Sequence, residues 1–463
     1  MSNTRDRTAS LLVSAALVAV LGIPETGWAT SLKEAMEQTY RTNPNLQAAR
    51  RQLEATNEQV PQARSGWRPD VRVNISGGVQ RRAATSAFES TSETTNPRTG
   101  ELRVEQPVYQ GGSTVAATER AKNQVRAERN RLASTAQDVL LRAVQAYMDV
   151  WRDQAVLRLN RNNVEVLRER LKATRQRFEV GEVTRTDVAQ AESRLARAIA
   201  DRTAARGDLE ASRATYAEVI GSQPEDLTLP DAPEKLPATR TDIVAKARAE
   251  NPTVQAAGFA EQAARKQVRE IVGELLPQVQ LVGSVSRSQR QTGEMSETDT
   301  AELLARLTVP LYQQGAVSSR VREAKQTASQ RQLELASERR TAKQEAISAW
   351  EDLQAARSRI DSRQKQVETA EIALEGVTEE NRVGERTVLD VLDQEQELLN
   401  AQVDLVRARR DLVVASYRVL AAVGDLNPGF VGLDVDPYPA EARYQAVDDR
   451  IFGLSVPGRD GDS

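Results

Sequence analysis

The chain has 463 residues, with 63 Lys and Arg against 66 Asp and Glu, so its formal net charge of −3 offers no bulk basic field to nucleic acid. It contains no cysteine and no histidine, which excludes disulfides, thiolate chemistry and cysteine lipidation and removes the commonest general base and metal ligand. Aromatic residues make up only 4% and charged residues 28%, a profile of long helices with a narrow buried seam rather than of ordinary globules.

Residues 1–29 read as a secretory signal peptide. Arg5 and Arg7 precede an apolar run of 13 residues, Leu11 to Ile23, too short for a membrane span, and Gly27-Trp28-Ala29 supplies a small-residue cleavage site. The first repeat, 30–226, opens with Ser31-Leu32-Lys33-Glu34, a helix-capping pattern, and the helix that follows carries an Asn43-Pro44 break. Near Pro69 the period changes to two. Val71, Val73, Ile75 and Val79 alternate with polar residues, which predicts a strand at about 70–80. A polar stretch from Arg81 to Gly100 reads as an exposed loop, and Leu102 and Val104 begin a second strand at about 101–108. From Ser113 the period is heptad, with Leu132, Ala136, Val139, Ala143, Ala146 and Val150 on one seam and Leu157, Val164, Leu167, Leu171 and Phe178 continuing it. Gly181 is a natural left-handed stop, so 112–221 reads as a helical hairpin with its tip near 181. A proline-rich linker, 227–238, follows.

The second repeat, 239–426, says the same thing again. Asn43-Pro44 returns 208 residues later as Asn251-Pro252, and Pro69 returns at the same offset as Pro277. Pro107, Tyr109 and Gly112 return as Pro310, Tyr312 and Gly315 at an offset of 203, which also relates Gly181 to Gly384 and Gly221 to Gly424. Strands are predicted at about 278–287 and 301–310, and a hairpin at about 315–424 with its tip near 384. Residues 427–463 read as a C-terminal tail, loose from Asp448 onward.

Each predicted strand has one apolar and one polar face over about ten residues, the pattern of a membrane β-strand with lipid on one side and water on the other. Four strands cannot close a barrel, and open edges are not tolerated in lipid, so several chains must share one barrel. The competing reading of the heptads and the signal peptide is a secreted periplasmic coiled-coil scaffold or adaptor without a pore. That reading leaves the strands unexplained. No constellation of nucleophile, base and orienting group points to an enzyme.

The paired strands, long hairpins and tandem duplication together resemble the TolC-like outer-membrane efflux proteins over nearly the whole mature chain. The most specific match is at the two hairpin turns, Val180-Gly181-Glu182-Val183-Thr184-Arg185-Thr186-Asp187 and Val383-Gly384-Glu385-Arg386-Thr387-Val388-Leu389-Asp390-Val391-Leu392-Asp393. The resemblance implies a mixed fold, a membrane β-barrel continued by a long α-helical coiled-coil barrel, with four strands per chain and closure by homotrimerisation. It implies the exit duct of a tripartite efflux or type I secretion system in a Gram-negative outer membrane, in contact with outer-membrane lipid. The duct opens by an iris-like movement of its periplasmic tips. Its partners are a periplasmic adaptor and an inner-membrane pump of the RND, ABC or MFS type, with no nucleic acid, cofactor or metal.

By the same resemblance Asp390 and Asp393 form the periplasmic gate ring. They are three residues apart and face one side of a helix, so three chains would stack two rings of carboxylates that favour cations. Thr387-x-x-Asp390 and Thr184-x-x-Asp187 also read as capping boxes, and both roles can coexist. Arg386 matches the family's gate arginine, with Thr186 and Asp187 of the other hairpin as its partners. Asn381 stands where a member of the family has a tyrosine, and its shorter side chain argues against a link from there to Asp187. Val180, Gly181, Val383 and Gly384 are the expected adaptor contacts, although turn geometry alone also accounts for the two glycines.

Overall fold

The computed structural model describes residues 31–88, 90–233, 235–291, 295–448 and 450–456. The expected signal peptide and residues 457–463 lie outside them.

The chain begins with α1 (Leu32–Thr42), capped by Ser31 and Glu34 in a reciprocal box, and continues into α2 (Pro44–Asn57). Asn43 sits at the break. Its Oδ1 accepts from the N–H groups of Asn45 and Leu46, which caps α2, while its Nδ2 donates to the carbonyl of Val219 at 3.0 Å. A short α3 (Gln59–Arg64) and a 3-10 turn (Ser65–Trp67) then lead into β1 (Asp70–Gly77). Next come β2 (Gln80–Thr85), β3 (Ser90–Thr95) and β4 (Arg98–Gln110), followed by the long helix α4 (Ser113–Glu179) and its return α5 (Arg185–Ile220). The second half repeats the plan with α6 (Arg240–Glu250), α7 (Pro252–Gly273), β5 (Gln278–Gln289), β6 (Glu297–Thr308), α8 (Ala316–Arg382) and α9 (Val388–Val423). Asn251 repeats the junction of Asn43: it caps α7 and donates to the carbonyl of Ala422 at 3.2 Å. The two Asn-Pro pairs therefore mark where a short helix is tied to the end of a return helix. Among the described residues no helix is long and apolar enough to cross a membrane.

The main sheet has the order β1-β4-β5-β6 and is antiparallel throughout, so β4 and β5 join the two repeats. The register pairs Val73 with Leu102, Leu102 with Val285 and Val285 with Ala301, and it pairs Val71 with Val104 and Gly283 with Leu303. One face is thus continuously apolar across the strands, while Arg72, Arg103, Ser284 and Glu302 align on the other. The apolar face is bare in a single chain: Val73, Ile75, Val285 and Leu303 are all exposed. β6 ends at Thr308, two residues before Pro310, which has no N–H to continue a ladder.

The stretch expected as a polar loop is structured. β2 and β3 form a separate antiparallel ribbon, and β4 begins at Arg98, within that stretch. The reason is local. Thr and Ser are tolerated in strands, and pairing satisfies backbone groups that a loop would leave to water.

Each long helix has 67 residues and so runs about 100 Å at 1.5 Å per residue. Its N-terminus meets the sheet and its C-terminus reaches the hairpin tip. Where the sheet meets the helices, two corners touch. A Cβ on Gly111 would lie 2.1 Å from the carbonyl oxygen of Gly273, and one on Gly273 would lie 2.8 Å from the amide nitrogen of Ser113. Only glycine fits either position, so this contact sets how closely the strand-to-helix turn packs on the end of α7.

The main core forms a belt midway along the helices. Met36, Leu46, Leu140, Tyr147, Met148, Tyr216, Ile220 and Leu420 pack there, and Ile243, Ala346, Leu353 and Val419 form its counterpart in the second repeat. The segment from Asn427 to Asp448, expected as the first part of a tail, packs against the body of the molecule. It contains α10 (Pro428–Val431) and α11 (Ala440–Asp448), and it buries Leu433 and Val447. Arg50 stacks between Tyr40 and Tyr438, Tyr438 donates to Glu54 at 2.9 Å, and Asp448 pairs with Arg64 at 3.0 Å. The proline-rich composition of this segment ends helices but does not prevent packing.

Candidate functional site at the hairpin tips

Both tips are built alike. In the first, the N–H of Glu182 donates to the carbonyl of Arg177 at 2.9 Å and that of Gly181 donates to Phe178 at 3.0 Å. In the second, Glu385 donates to Glu380 at 2.9 Å and Gly384 to Asn381 at 3.2 Å. Gly181 and Gly384 have φ of +80° and +87°, the left-handed conformation that closes such a helix end. Val180 and Val383 project from the tips and are 71% and 70% exposed.

Each return helix starts on a capping box. The N–H of Asp187 donates to Thr184 Oγ1 while Asp187 Oδ2 accepts from Thr184 N at 2.8 Å, and Thr387 and Asp390 repeat this with a 2.9 Å return bond. The Thr387 backbone N–H, then its hydroxyl, then Arg386 hold the Asp390 carboxyl below the ordinary range. Asp390 is therefore both a cap and a retained negative charge, since its hydrogen-bond donors are neutral.

The expected link from Arg386 to the other hairpin is not formed within the chain. Arg386 Nε donates to Glu380 Oε2 at 2.9 Å, and this partner holds the guanidinium above its usual value. Asn381 Nδ2 donates to the carbonyl of Arg386 at 2.8 Å, so it also closes its own turn. Thr186 is exposed, and Asp187 is committed to Thr184. Both ends of the proposed link are thus satisfied locally, because a partner six residues away is closer than one on a separate helix.

The two hairpins are joined instead through α9. Val164, Leu167 and Leu171 of α4, Ala191 and Ala198 of α5, and Leu392 of α9 form one buried cluster. Three arginine–carboxylate pairs run beside it up the same helix. Arg194 on α5 donates to Asp393, Arg170 on α4 donates to Glu395 at 2.8 Å, and Arg410 on α9 donates to Asp149 on α4 at 2.9 Å. Glu395 is buried and its Oε2 has no hydrogen-bond partner. Sequence reasoning missed Arg170, Arg194 and Glu395. One signal was available: Glu395 falls on the apolar stripe of Val388, Val391, Leu392 and Leu399, and a carboxylate on a seam requires a cation facing it.

With this geometry in place, comparison with known proteins is direct. The chain matches the outer membrane efflux protein family over residues 35–222 and 243–425, one block in each repeat. It belongs to that family. The outer membrane efflux protein BepC of Brucella suis is 35% identical over 449 residues, covering 96% of both chains. The outer membrane protein TolC of Vibrio cholerae is 26% identical over 427 residues, covering 90% of this chain and 95% of that one. The outer membrane channel CmeC of Campylobacter jejuni shares the fold, with a TM-score of 0.78 at 16% identity over 97% of this chain and 98% of that one. This member of the family is accordingly an outer-membrane protein of the Gram-negative type, and the scaffold alternative has no support. The family is one of channels rather than of enzymes.

Proposed function

We propose that three copies of this chain form an exit duct that passively conducts substrate across the periplasm and outer membrane, as the terminal part of a tripartite efflux or type I secretion system. The observation that carries the proposal is the sheet. It has an apolar face of exposed side chains and two edge strands, β1 and β6, each paired on one side only. Unpaired backbone in hydrocarbon costs several kcal/mol per group, so the edges must close on other copies. Three four-stranded sheets make a barrel of twelve strands, within the size range of outer-membrane barrels. The long hairpins then continue the barrel as a helical tunnel, with Asp390 and Asp393 ringing its far end.

The exposed Val180 and Val383 beside turn-forming Gly181 and Gly384 support contact of the tips with a periplasmic adaptor, and through it with an inner-membrane pump. The test is conductance of the purified protein in a planar bilayer, with cysteines placed on β1 and β6 to cross-link the sheet edges. Discrete openings and a ladder ending at three chains are expected. A ladder ending at two chains would mean an eight-stranded barrel and overturn the trimer. Folded protein that never conducts would overturn the duct.

A further inference from the structure

We propose that Arg194 sets the charge of the tunnel constriction by neutralising Asp393 within each chain, leaving Asp390 as the only uncompensated carboxylate of the pair. This rests on the reading that the two aspartates ring a pore. Arg194 Nη2 donates to Asp393 Oδ1 across the boundary between the two hairpins. The Arg194 side chain is 26% exposed and partly shielded, whereas that of Asp393, at 53%, stays open to solvent. Both are anchored from behind. Leu392, adjacent to Asp393, is 2% exposed in the cluster that holds the hairpins together, and Leu195, adjacent to Arg194, packs on the same cluster. The two helices therefore fix the backbone on both sides of the pair, so that only side-chain rotamers remain to be ordered.

The two aspartates differ in what they meet. Asp390 Oδ2 accepts from the amide and hydroxyl of Thr387, both neutral, and Arg386, which acts on it only through space, is already paired with Glu380. Asp393 meets a guanidinium directly. Two stacked rings of carboxylates thus behave as one, and the residue that decides this lies on the first hairpin, outside the motif that carries the aspartates.

The experiment compares the full-length protein with Arg194→Gln, Arg194→Lys and Arg194→Gln/Asp393→Asn. One readout is cation-over-anion selectivity in bilayers. The other is Mn2+ affinity of the detergent-solubilised protein by electron paramagnetic resonance, which does not need a conducting pore. Uncovering Asp393 in Arg194→Gln should raise selectivity by on the order of fivefold, the factor for two unit charges at about 4 Å in water-like dielectric, and Mn2+ affinity by on the order of 30-fold, because a divalent ion doubles that energy. Arg194→Lys should resemble the wild type, and the double variant should return to it. Unchanged Mn2+ affinity and selectivity in Arg194→Gln would overturn the proposal, as would a change that persists in the double variant. If Mn2+ affinity responds as expected while no variant conducts, the neutralisation of Asp393 by Arg194 stands, but the duct reading fails and with it the role at a constriction.

Discussion

Removing Arg170 should loosen the junction of the hairpins more than removing its partner. Glu395 is 7% exposed and lies on the seam where α9 packs against the first hairpin, with one carboxylate oxygen on Arg170 and the other without a hydrogen bond. Arg170→Ala would leave a buried charge facing Leu167, Leu171 and Leu392. Breaking a fully buried pair costs about 3–5 kcal/mol. The Arg170 side chain is 41% exposed, so water can replace part of the lost interaction, and about 2 kcal/mol is the figure to expect. Glu395→Leu removes the charge and extends the apolar stripe, so it should be neutral or mildly stabilising. Hydrogen exchange of the α9 amides from Val388 to Asn400 measures the opening locally. Protection should fall about 30-fold in Arg170→Ala, the factor for about 2 kcal/mol, and should hold in Glu395→Leu and in Arg170→Ala/Glu395→Leu. Equal loss of protection in Arg170→Ala and Glu395→Leu would refute the reasoning, since it would mean that the bond matters and the stranded charge does not.

Gly273→Ala places a methyl 2.8 Å from the amide of Ser113 and should destabilise the sheet-to-helix corner by about 1–3 kcal/mol, seen as a lower melting temperature of the assembled protein. Gly384→Ala meets nothing within 4 Å but keeps φ at +87°, so about 1 kcal/mol is expected from conformation alone, measured as faster proteolysis at the second tip. Asp390 has its folded pKa depressed below the ordinary 3.8. Its contribution is therefore present above that value and lost as pH falls through the folded pKa. Hydrogen exchange at Val388–Leu392 should accelerate in that acid window in the wild type, and Asp390→Asn should abolish the acid-dependent part. Asn251→Ala removes both the α7 cap and the bond to Ala422, and should cost about 1–2 kcal/mol, read from thermal unfolding beside the equivalent Asn43→Ala.

Much of this protein was legible in the residues alone, and for a local reason. Period-two and heptad patterns are properties of single elements, so they announced strands at Val71–Ile75 and Val279–Val285 and helices through Leu132–Val150 before any packing was known. The duplication was visible because Asn-Pro junctions, strand-to-helix turns and tip glycines each require particular residues, and the second repeat needs the same ones. The apolar-polar alternation also implied shared closure of a barrel, since no chain can leave strand edges open in lipid. Tertiary structure decided which side chains meet. Arg386 and Asn381 could satisfy themselves within one turn, and they do. Arg194, Arg170 and Arg410 reach carboxylates on another helix only because α9 docks against the first hairpin, a placement that no spacing within either hairpin encodes. The segment after Asn427 read only as a tail because its prolines and glycines break helices, yet Leu433, Tyr438 and Val447, ahead of the stretch expected to be loose, find a surface made by α1, α2 and α4. A sequence states what each residue can pair with, whereas the distance between helices far apart in the chain determines what it does pair with.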